Sequence, residues 1–539
     1  MSVDTDEPTS PPSPRRDGSA FWRGVWRTHF YAGIFSIPVL VLLAVTGLVI
    51  LYTDPINDLQ FAELQRVEVG DDRVPLDDQH RAVQDAYAEW TVESVTPPKD
   101  DTTPTTFAVV DASGEVYRSV SVDPYTGEVL GDQDPSAGVV GLSNRLHGFL
   151  NNESLVVPLP TLDGVLGEGP AFVDMAVGDV ALEVFACWAL VLAVSGLYLW
   201  WPRKRGTGRA MFVPRLRRSG RARWRDLHAI PGVVLSGLLV FFVVSGLPWS
   251  AFWGANWAEV ATRVTPNDEN FYELEAPSSG VPEVGDLDRI GNRIPWATRS
   301  EDIPTSSGGG SSMPGMDMEG DTATSAEGTG DDIGAGLAGS DLPAPASLDL
   351  IVEAAEQEGM LRGASVTLPF NDSSDPTSPV LGSYVVTNPW PSDISNQGAL
   401  FLDQFTGETL DRSFASEWGE LQWVTELGVQ THMGTQFGLA SRVVMTVACL
   451  LVVWAAFSGL VMFWKRRRGG TGFPRRPLDA RLQRGMIVIA VLLALVYPLW
   501  GVSVVAVLLF DTYVIRRVPP LRRAFGMKDP EPEPVPVEQ

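Results

Sequence analysis

The chain is poor in the residues that build most soluble metal and redox sites. Its 539 residues include only 2 cysteines and 5 histidines. Cys187 and Cys449 both fall inside apolar runs, so no disulfide framework, CxxC motif or cysteine zinc site is expected, and two small core residues is their simplest reading. No HExxH sequence is present, which argues against a zinc peptidase. No GxGxxG lies between a strand and a helix, so the chain is expected to carry no nicotinamide or flavin domain. Positive charge is scarce: 40 Lys and Arg against 66 Asp and Glu leave a net charge of -26, which argues against nucleic acid as the main partner. A cleavable secretory signal is not expected either, because the first apolar run, after Trp26, is too long and has no small-residue exit.

Long apolar runs are abundant. Phe30–Tyr52, Val180–Trp201, Ala229–Phe252 and Leu439–Trp464 are each long enough for about 30 Å of hydrocarbon. A fifth region, Met486–Phe510, has Pro498 at its middle and reads as one helix or as two legs turning at Tyr497-Pro498-Leu499-Trp500. Of the 40 basic residues, 4 precede the first run, 10 lie from Arg203 to Arg225, 8 from Lys465 to Arg484 and 5 after Phe510. The positive-inside rule therefore predicts a cytoplasmic N-terminus and cytoplasmic basic loops, with the long acidic loops, about 54–179 and 253–438, outside. A two-legged hairpin returns the basic tail to the cytoplasm and is the preferred reading. Trp22, Trp26, Trp200, Trp201, Trp249, Trp253, Trp257, Phe463 and Trp464 fall where interfacial aromatic belts belong.

The chain reads as a duplication. His29, Gly33 and Thr46-Gly47-Leu48 match His228, Gly232 and Ser245-Gly246-Leu247, with the second glycine 18 residues after the histidine in both. Ser195-Gly196-Leu197 matches Ser458-Gly459-Leu460. Asp123-Pro124-Tyr125-Thr126-Gly127-Glu128 matches Asp403-Gln404-Phe405-Thr406-Gly407-Glu408, followed 19 and 24 residues after the Glu by His147 and His432. The predicted fold class is an α-helical integral membrane protein: a four-helix transmembrane core from a tandem duplication, a C-terminal hydrophobic hairpin, and two small α+β extracytoplasmic domains. The layout runs as a disordered cytoplasmic tail (1–20), first span (21–53), first outer domain (54–140), interfacial His segment (141–179), second span (180–201), basic loop (202–227), third span (228–252), outer segment (253–304), disordered insert (305–344), second outer domain (345–430), His segment and fourth span (431–464), basic loop (465–484), hairpin (485–513) and cytoplasmic tail (514–539). In the outer domains, Leu76–Trp90 and Ser347–Gly359 read as helices, and Phe107–Val110 and Tyr117–Asp123 as strands joined at Ala112-Ser113-Gly114.

Four of the five histidines occupy matched places in the repeat. Histidine near lipid is costly unless paired or bound. Two neutral imidazoles at one depth can supply both axial ligands of a haem iron, giving an inner pair (His29, His228) and an outer pair (His147, His432). Gly33 and Gly232, one turn from their histidines, would open the helix face for a flat ring, or simply let helices pack closely. Arg27 and Arg225 on the inner side, and Arg145 and Arg442 on the outer, are candidates to pair with propionates, although Arg27 and Arg225 also serve topology. For His147 to join His432, Gly141–Leu150 has to fold as an interfacial helix, with the apolar run Leu155–Leu159 beside it. His80 is expected on an exposed helix, structural or solvated. Glu183 and Asp179 in or near the second span invite a proton or cation role, and Asp511 is expected near headgroup water.

Arg27-Thr28-His29-x3-Gly33, Arg145-Leu146-His147, Asp226-Leu227-His228-x3-Gly232, His432-Met433-Gly434 and the two Asp-x-x-Thr-Gly-Glu turns together resemble the PepSY-associated transmembrane helix family over about 20–515. Its members are bacterial inner-membrane proteins often linked to iron uptake, and some look like dihaem reductases that carry electrons out to ferric siderophores. The resemblance implies two b-type haems held by His29, His147, His228 and His432, PepSY-like outer domains, and a haem-dependent membrane ferric reductase activity. Its implied partners are membrane lipid, a separate cytoplasmic or membrane electron donor and an outer acceptor such as a ferric siderophore. Related PepSY domains are linked to peptidase inhibition, so a non-redox binding or regulatory role is the alternative. Met313-Pro314-Gly315-Met316-Asp317-Met318 in the insert raises a third, copper handling, since thioethers suit Cu(I).

Overall fold

In the computed structural model, residues 18–524 are described except 203–212, 216–219, 266–277, 285–293, 307–342, 372–379, 467–479 and positions 115, 153, 168, 169, 295, 300 and 389. The Met313–Met318 tract, most of the expected insert and most of both tails lie outside the described residues. The chain divides into two units. One is built from described residues within Met1–Ala44, Val180–Val243 and Leu450–Gln539, the other within Val45–Asp179 and Val244–Cys449.

Helices dominate the first unit. Five stretches are long and apolar enough to cross a membrane: Phe21–Leu51, Val177–Trp200, Arg221–Trp249, Leu439–Arg466 and Pro498–Ile515. They belong to helices numbered here with the rest in chain order: α1 (Gly18–Leu51), α2 (Leu76–Ala86), α3 (Gly138–Phe149), α4 (Val177–Trp200), α5 (Arg221–Gly246), α6 (Phe252–Val264), α7 (Leu348–Gln357), α8 (Glu420–Met433), α9 (Leu439–Arg466), α10 (Ala480–Val496) and α11 (Pro498–Phe510). The chain is an α-helical membrane protein that also carries sheet.

Proline inside a membrane helix needs compensation, because the ring removes an N–H and frees the carbonyl four residues earlier. Pro231 does this in α5. The carbonyl it frees is that of Leu227, and the Trp454 indole N–H donates to it at 2.9 Å. Trp454 also stacks on Trp224 at 6.3 Å, tying α9 to α5 beside His228. The fifth apolar region breaks at Tyr497, as its proline suggested, into α10 and α11. A methyl group on Gly501 would lie 2.6 Å from Cβ of Ala494, so the two legs meet closely only because that residue is glycine. Trp188 of α4 holds α11 through its indole N–H to Ser503 Oγ (3.1 Å) and its ring on Trp500.

The second unit contains an eight-stranded antiparallel sheet. Its strands are β1 (Trp90–Thr96), β2 (Thr105–Asp111), β3 (Tyr117–Val122), β4 (Val129–Gln133), β5 (Ser365–Thr367), β6 (Tyr384–Thr387), β7 (Gly398–Leu402) and β8 (Thr409–Phe414), in spatial order β8-β7-β6-β5-β1-β2-β3-β4. The two small α+β outer domains expected from sequence share this one sheet. Each repeat supplies a four-stranded half, and the halves join where β1 pairs antiparallel with β5, with Val95 opposite Val366. One apolar core runs across the seam: Phe107, Val109, Val120 and Val122 from one half and Leu400, Leu402 and Val386 from the other pack under Leu76 and Val83 of α2 and Leu348 and Ile351 of α7. β6 and β7 are buried on both faces, because Val284, Ile294 and Ile303 cover the side away from the helices.

The two Asp-x-x-Thr-Gly-Glu sequences are structural turns. Asp123 Oδ1 accepts from the N–H groups of Tyr125 and Thr126, and Asp403 Oδ1 from those of Phe405 and Thr406. Gly127 and Gly407 both take φ of 72°, which favours glycine. His80 is buried and stacks on Phe107 at 6.1 Å, so it is a core residue and not a solvated one. The Leu155–Leu159 run is part of a two-stranded ribbon, Val156–Pro160 with Phe172–Ala176.

Candidate functional site

The four repeat histidines and the four hydroxyl-Gly-Leu tripeptides join one to one. In the first unit, His29 Nδ1 of α1 lies 2.9 Å from Ser195 Oγ of α4. His228 Nδ1 of α5 lies 2.9 Å from Ser458 Oγ of α9. In the second unit, His147 Nδ1 in the last turn of α3 lies 2.9 Å from Thr46 Oγ1 of α1, and His432 Nδ1 at the end of α8 lies 3.0 Å from Ser245 Oγ of α5. Each repeat therefore exchanges its motifs: the first span's histidine uses the second span's hydroxyl, and the reverse.

The glycine after each hydroxyl lets the ring approach. A methyl group there would lie 3.2 Å from Cε1 of His29 at Gly196, 3.8 Å from that of His228 at Gly459, 3.1 Å from that of His147 at Gly47 and 3.4 Å from that of His432 at Gly246. The glycines that sequence reasoning favoured do something else. A methyl group at Gly232 would meet no atom within 4 Å, and one at Gly33 only Leu192 Cδ2 at 3.7 Å. Gly232 lines open space one turn from His228, and Gly33 makes an ordinary contact with α4 one turn from His29.

His29 and His228 come together with ring centres 6.4 Å apart and planes at 80°. Both residues are half-buried. Two imidazoles bound trans to one metal, with bonds of about 2 Å, have ring centres roughly 6 to 7 Å apart, so the observed spacing fits one metal between them. Among the described residues no group of three or more His, Cys, Asp or Glu gathers as a metal site.

The four candidate arginines divide. Nη1 of Arg27 and Nε of Arg442 are buried and reach no acceptor among the described residues, and Arg27 also lies over the Tyr31 ring at 5.3 Å. Arg145 is already engaged, with Asn151 Oδ1 at 2.9 Å and the Ser136 carbonyl. Arg225 pairs with Asp226, which Arg215 also grips at 2.7 Å. Arg466, not singled out from sequence, has a buried Nη1 without an acceptor and lies over Trp26 at 4.3 Å. A buried guanidinium nitrogen without an acceptor is a place where an anionic group would be favoured. Glu183 is fully buried in α4, Asp179 is nearly so, and Asp511 pairs with Arg516 at 2.9 Å.

The residues that sequence reading missed are the hydroxyls. Thr46, Ser195, Ser245 and Ser458 marked the repeat but were assigned no partner. Their signal was numerical: four hydroxyl-Gly-Leu tripeptides against four repeat histidines.

The family model for the PepSY-associated TM region matches residues 26–466. The chain belongs to the PepSY-associated transmembrane family. A search of curated proteins finds no match. The match takes in the four repeat histidines and their hydroxyl partners and stops before the α10–α11 hairpin.

Proposed function

We propose that this PepSY-associated protein carries electrons across the bacterial inner membrane through two b-type haems. His29 and His228 would hold one, and His147 and His432 the other. When bound, each haem supplies a one-electron Fe(III)/Fe(II) couple whose potential is set by its two imidazoles and by burial. The observation that carries the reading is the fourfold repetition of one clasp, hydroxyl to Nδ1 and glycine to Cε1, together with the 6.4 Å spacing of His29 and His228.

The chain's own residues have separate tasks in this reading. The imidazoles bind, the hydroxyl-glycine pairs orient them, and Gly33 and Gly232 leave room beside the inner pair. Arg27 and Arg442 offer buried cationic nitrogens for propionates. Loop charge favours a cytoplasmic N-terminus and an outward-facing sheet. The electron donor is then a separate cytoplasmic or membrane component. The acceptor is an outer ferric chelate of the siderophore class, which makes the activity that of a membrane ferric reductase.

A second reading is a ligand-binding role for the sheet. It is favoured by a cleft of about 570 Å³ at the seam, lined by Arg73, Asp349, Glu356, Met360 and Arg362. Arg73 and Arg362 share Asp101 as an ion-pair partner there, at 2.9 and 3.8 Å.

An absorption spectrum of the detergent-purified protein, oxidised and dithionite-reduced, with haem quantified per chain, tests the proposal. Low-spin b-type bands, with haem content halved by His228→Ala, are expected. Absence of haem after expression with ample haem supply would overturn the redox reading and leave the cleft as the place to look.

A further inference from the structure

We infer that Thr46, Ser195, Ser245 and Ser458 are positioning residues that select one tautomer of the four histidines and, at the inner pair, fix the ring planes. The inference deepens the haem reading and rests on it.

A serine hydroxyl has one proton and two acceptor lone pairs. The Ser195 hydroxyl donates its proton to the backbone, to the carbonyl of Val191, with that of Leu192 also close. The Ser458 hydroxyl donates to the carbonyl of Ala455 at 3.1 Å. Toward His29 and His228 these hydroxyls can then only accept. The imidazole Nδ1 must carry the proton, and Nε2 keeps the lone pair that a metal needs. Thr46 and Ser245 hold His147 and His432 at the same Nδ1 distances, 2.9 and 3.0 Å, and the inference extends the same proton placement to them through the repeat.

Two physical consequences follow. An Nδ1–H that donates makes the imidazole a more basic ligand, which favours the ferric state and lowers the reduction potential. Also, α4 and α9 hold their hydroxyls so that the inner rings stand at 80°. Near-perpendicular axial imidazoles give a strongly anisotropic low-spin ferric signal, distinct from the rhombic signal of coplanar ones.

The experiment has two arms. In haem-free protein labelled with 15N-histidine, ring shifts report which nitrogen is protonated. Nδ1-protonated rings are expected at His29, His147, His228 and His432, and an Nε2-protonated ring at any of these four would overturn the inference. In haem-loaded protein, Ser195→Ala is expected to raise the midpoint potential of one haem, leave the other in place, and change the anisotropic signal, while Ser195→Thr restores both. A loaded Ser195→Ala protein with unchanged potential and signal would overturn it as well. If Ser195→Ala fails to fold, Ser195→Thr and the 15N shifts decide. If the wild type binds no haem, the haem reading fails, and the 15N shifts still report the tautomer by themselves.

Discussion

Asp77 and Asp349 each cap the helix that the other begins. The N–H of Leu76, first residue of α2, donates to Asp349 Oδ2 at 2.9 Å, and the N–H of Leu348, first residue of α7, donates to Asp77 Oδ1 at 3.0 Å. The Leu-Asp pair is the same in both repeats, so the exchange relates the two half-sheets as a pseudo-two-fold does. It satisfies one orphan donor of each helix. Removing either carboxylate by Asp77→Ala or Asp349→Ala is expected to cost about 1 kcal/mol. The double variant is expected to lose more than the sum, because each single variant already removes the repulsion between the two carboxylates across the seam, a relief that can be gained only once. A double-mutant cycle in thermal unfolding measures both quantities, and strict additivity would contradict the coupling.

Glycine contacts at the histidines predict a graded series. A methyl group would sit 3.1 Å from the ring at Gly47, 3.2 Å at Gly196, 3.4 Å at Gly246 and 3.8 Å at Gly459. The first two require a ring to move; the last is an ordinary van der Waals contact. Gly47→Ala and Gly196→Ala are expected to lower haem occupancy strongly, Gly246→Ala less, and Gly459→Ala hardly at all. Overpacking of this kind costs roughly 1 to 3 kcal/mol. Equal losses across all four would mean that the glycines serve helix packing alone.

Much of this was legible in the sequence, and the limits have physical causes. The apolar runs, the break at Pro498 and the repeat are local signals, so they survive without tertiary knowledge. The exchange between His29 and Ser195 is not local: 166 residues separate them, and neither position shows which face of its helix meets the other. The joined sheet was hidden for a different reason. Antiparallel pairing of β1 with β5 needs only an exposed edge on each half, and nothing in the residues of Trp90–Thr96 states what covers that edge. For His80 the sequence leaves a structural and a solvated place open, and Phe107 packed against its ring decides for the structural one.

Glu426 makes stability depend on pH. It is fully buried in α8, accepting from the Ala297 N–H and from Gln430 Nε2. Burial pushes its carboxyl up from 4.5 to about 7. A folded state that holds a proton more tightly than the unfolded chain is most stable at low pH. Stability is therefore lost as pH rises from about 4.5 through about 7, and the loss is constant above that. A shift of this size corresponds to about 3 kcal/mol. Glu426→Gln keeps an acceptor for Ala297 and removes the titration. It is expected to raise the unfolding temperature at pH 8, change little at pH 4, and flatten the profile between. An unchanged profile would assign the pH dependence to another group.

The α10–α11 hairpin predicts a topology. Its legs have 17 and 13 residues, about 25 and 20 Å of helix, against about 30 Å of hydrocarbon. The first leg is short of that and the second approaches it only by continuing through Asp511–Ile515, and the close approach of Gly501 to Ala494 folds one leg back along the other. Reporters placed in 467–479 and after 524 are therefore expected on the same side of the membrane, and accessibility labelling of single cysteines at those positions reads this directly. Reporters on opposite sides would make Pro498–Ile515 a true fifth span. Gly501→Val tests the cause. Its side chain cannot sit 2.6 Å from Ala494, so the legs must part and thermal stability must fall. Ala494→Gly in the same chain is expected to recover part of that loss, because it removes the atom that the new side chain strikes.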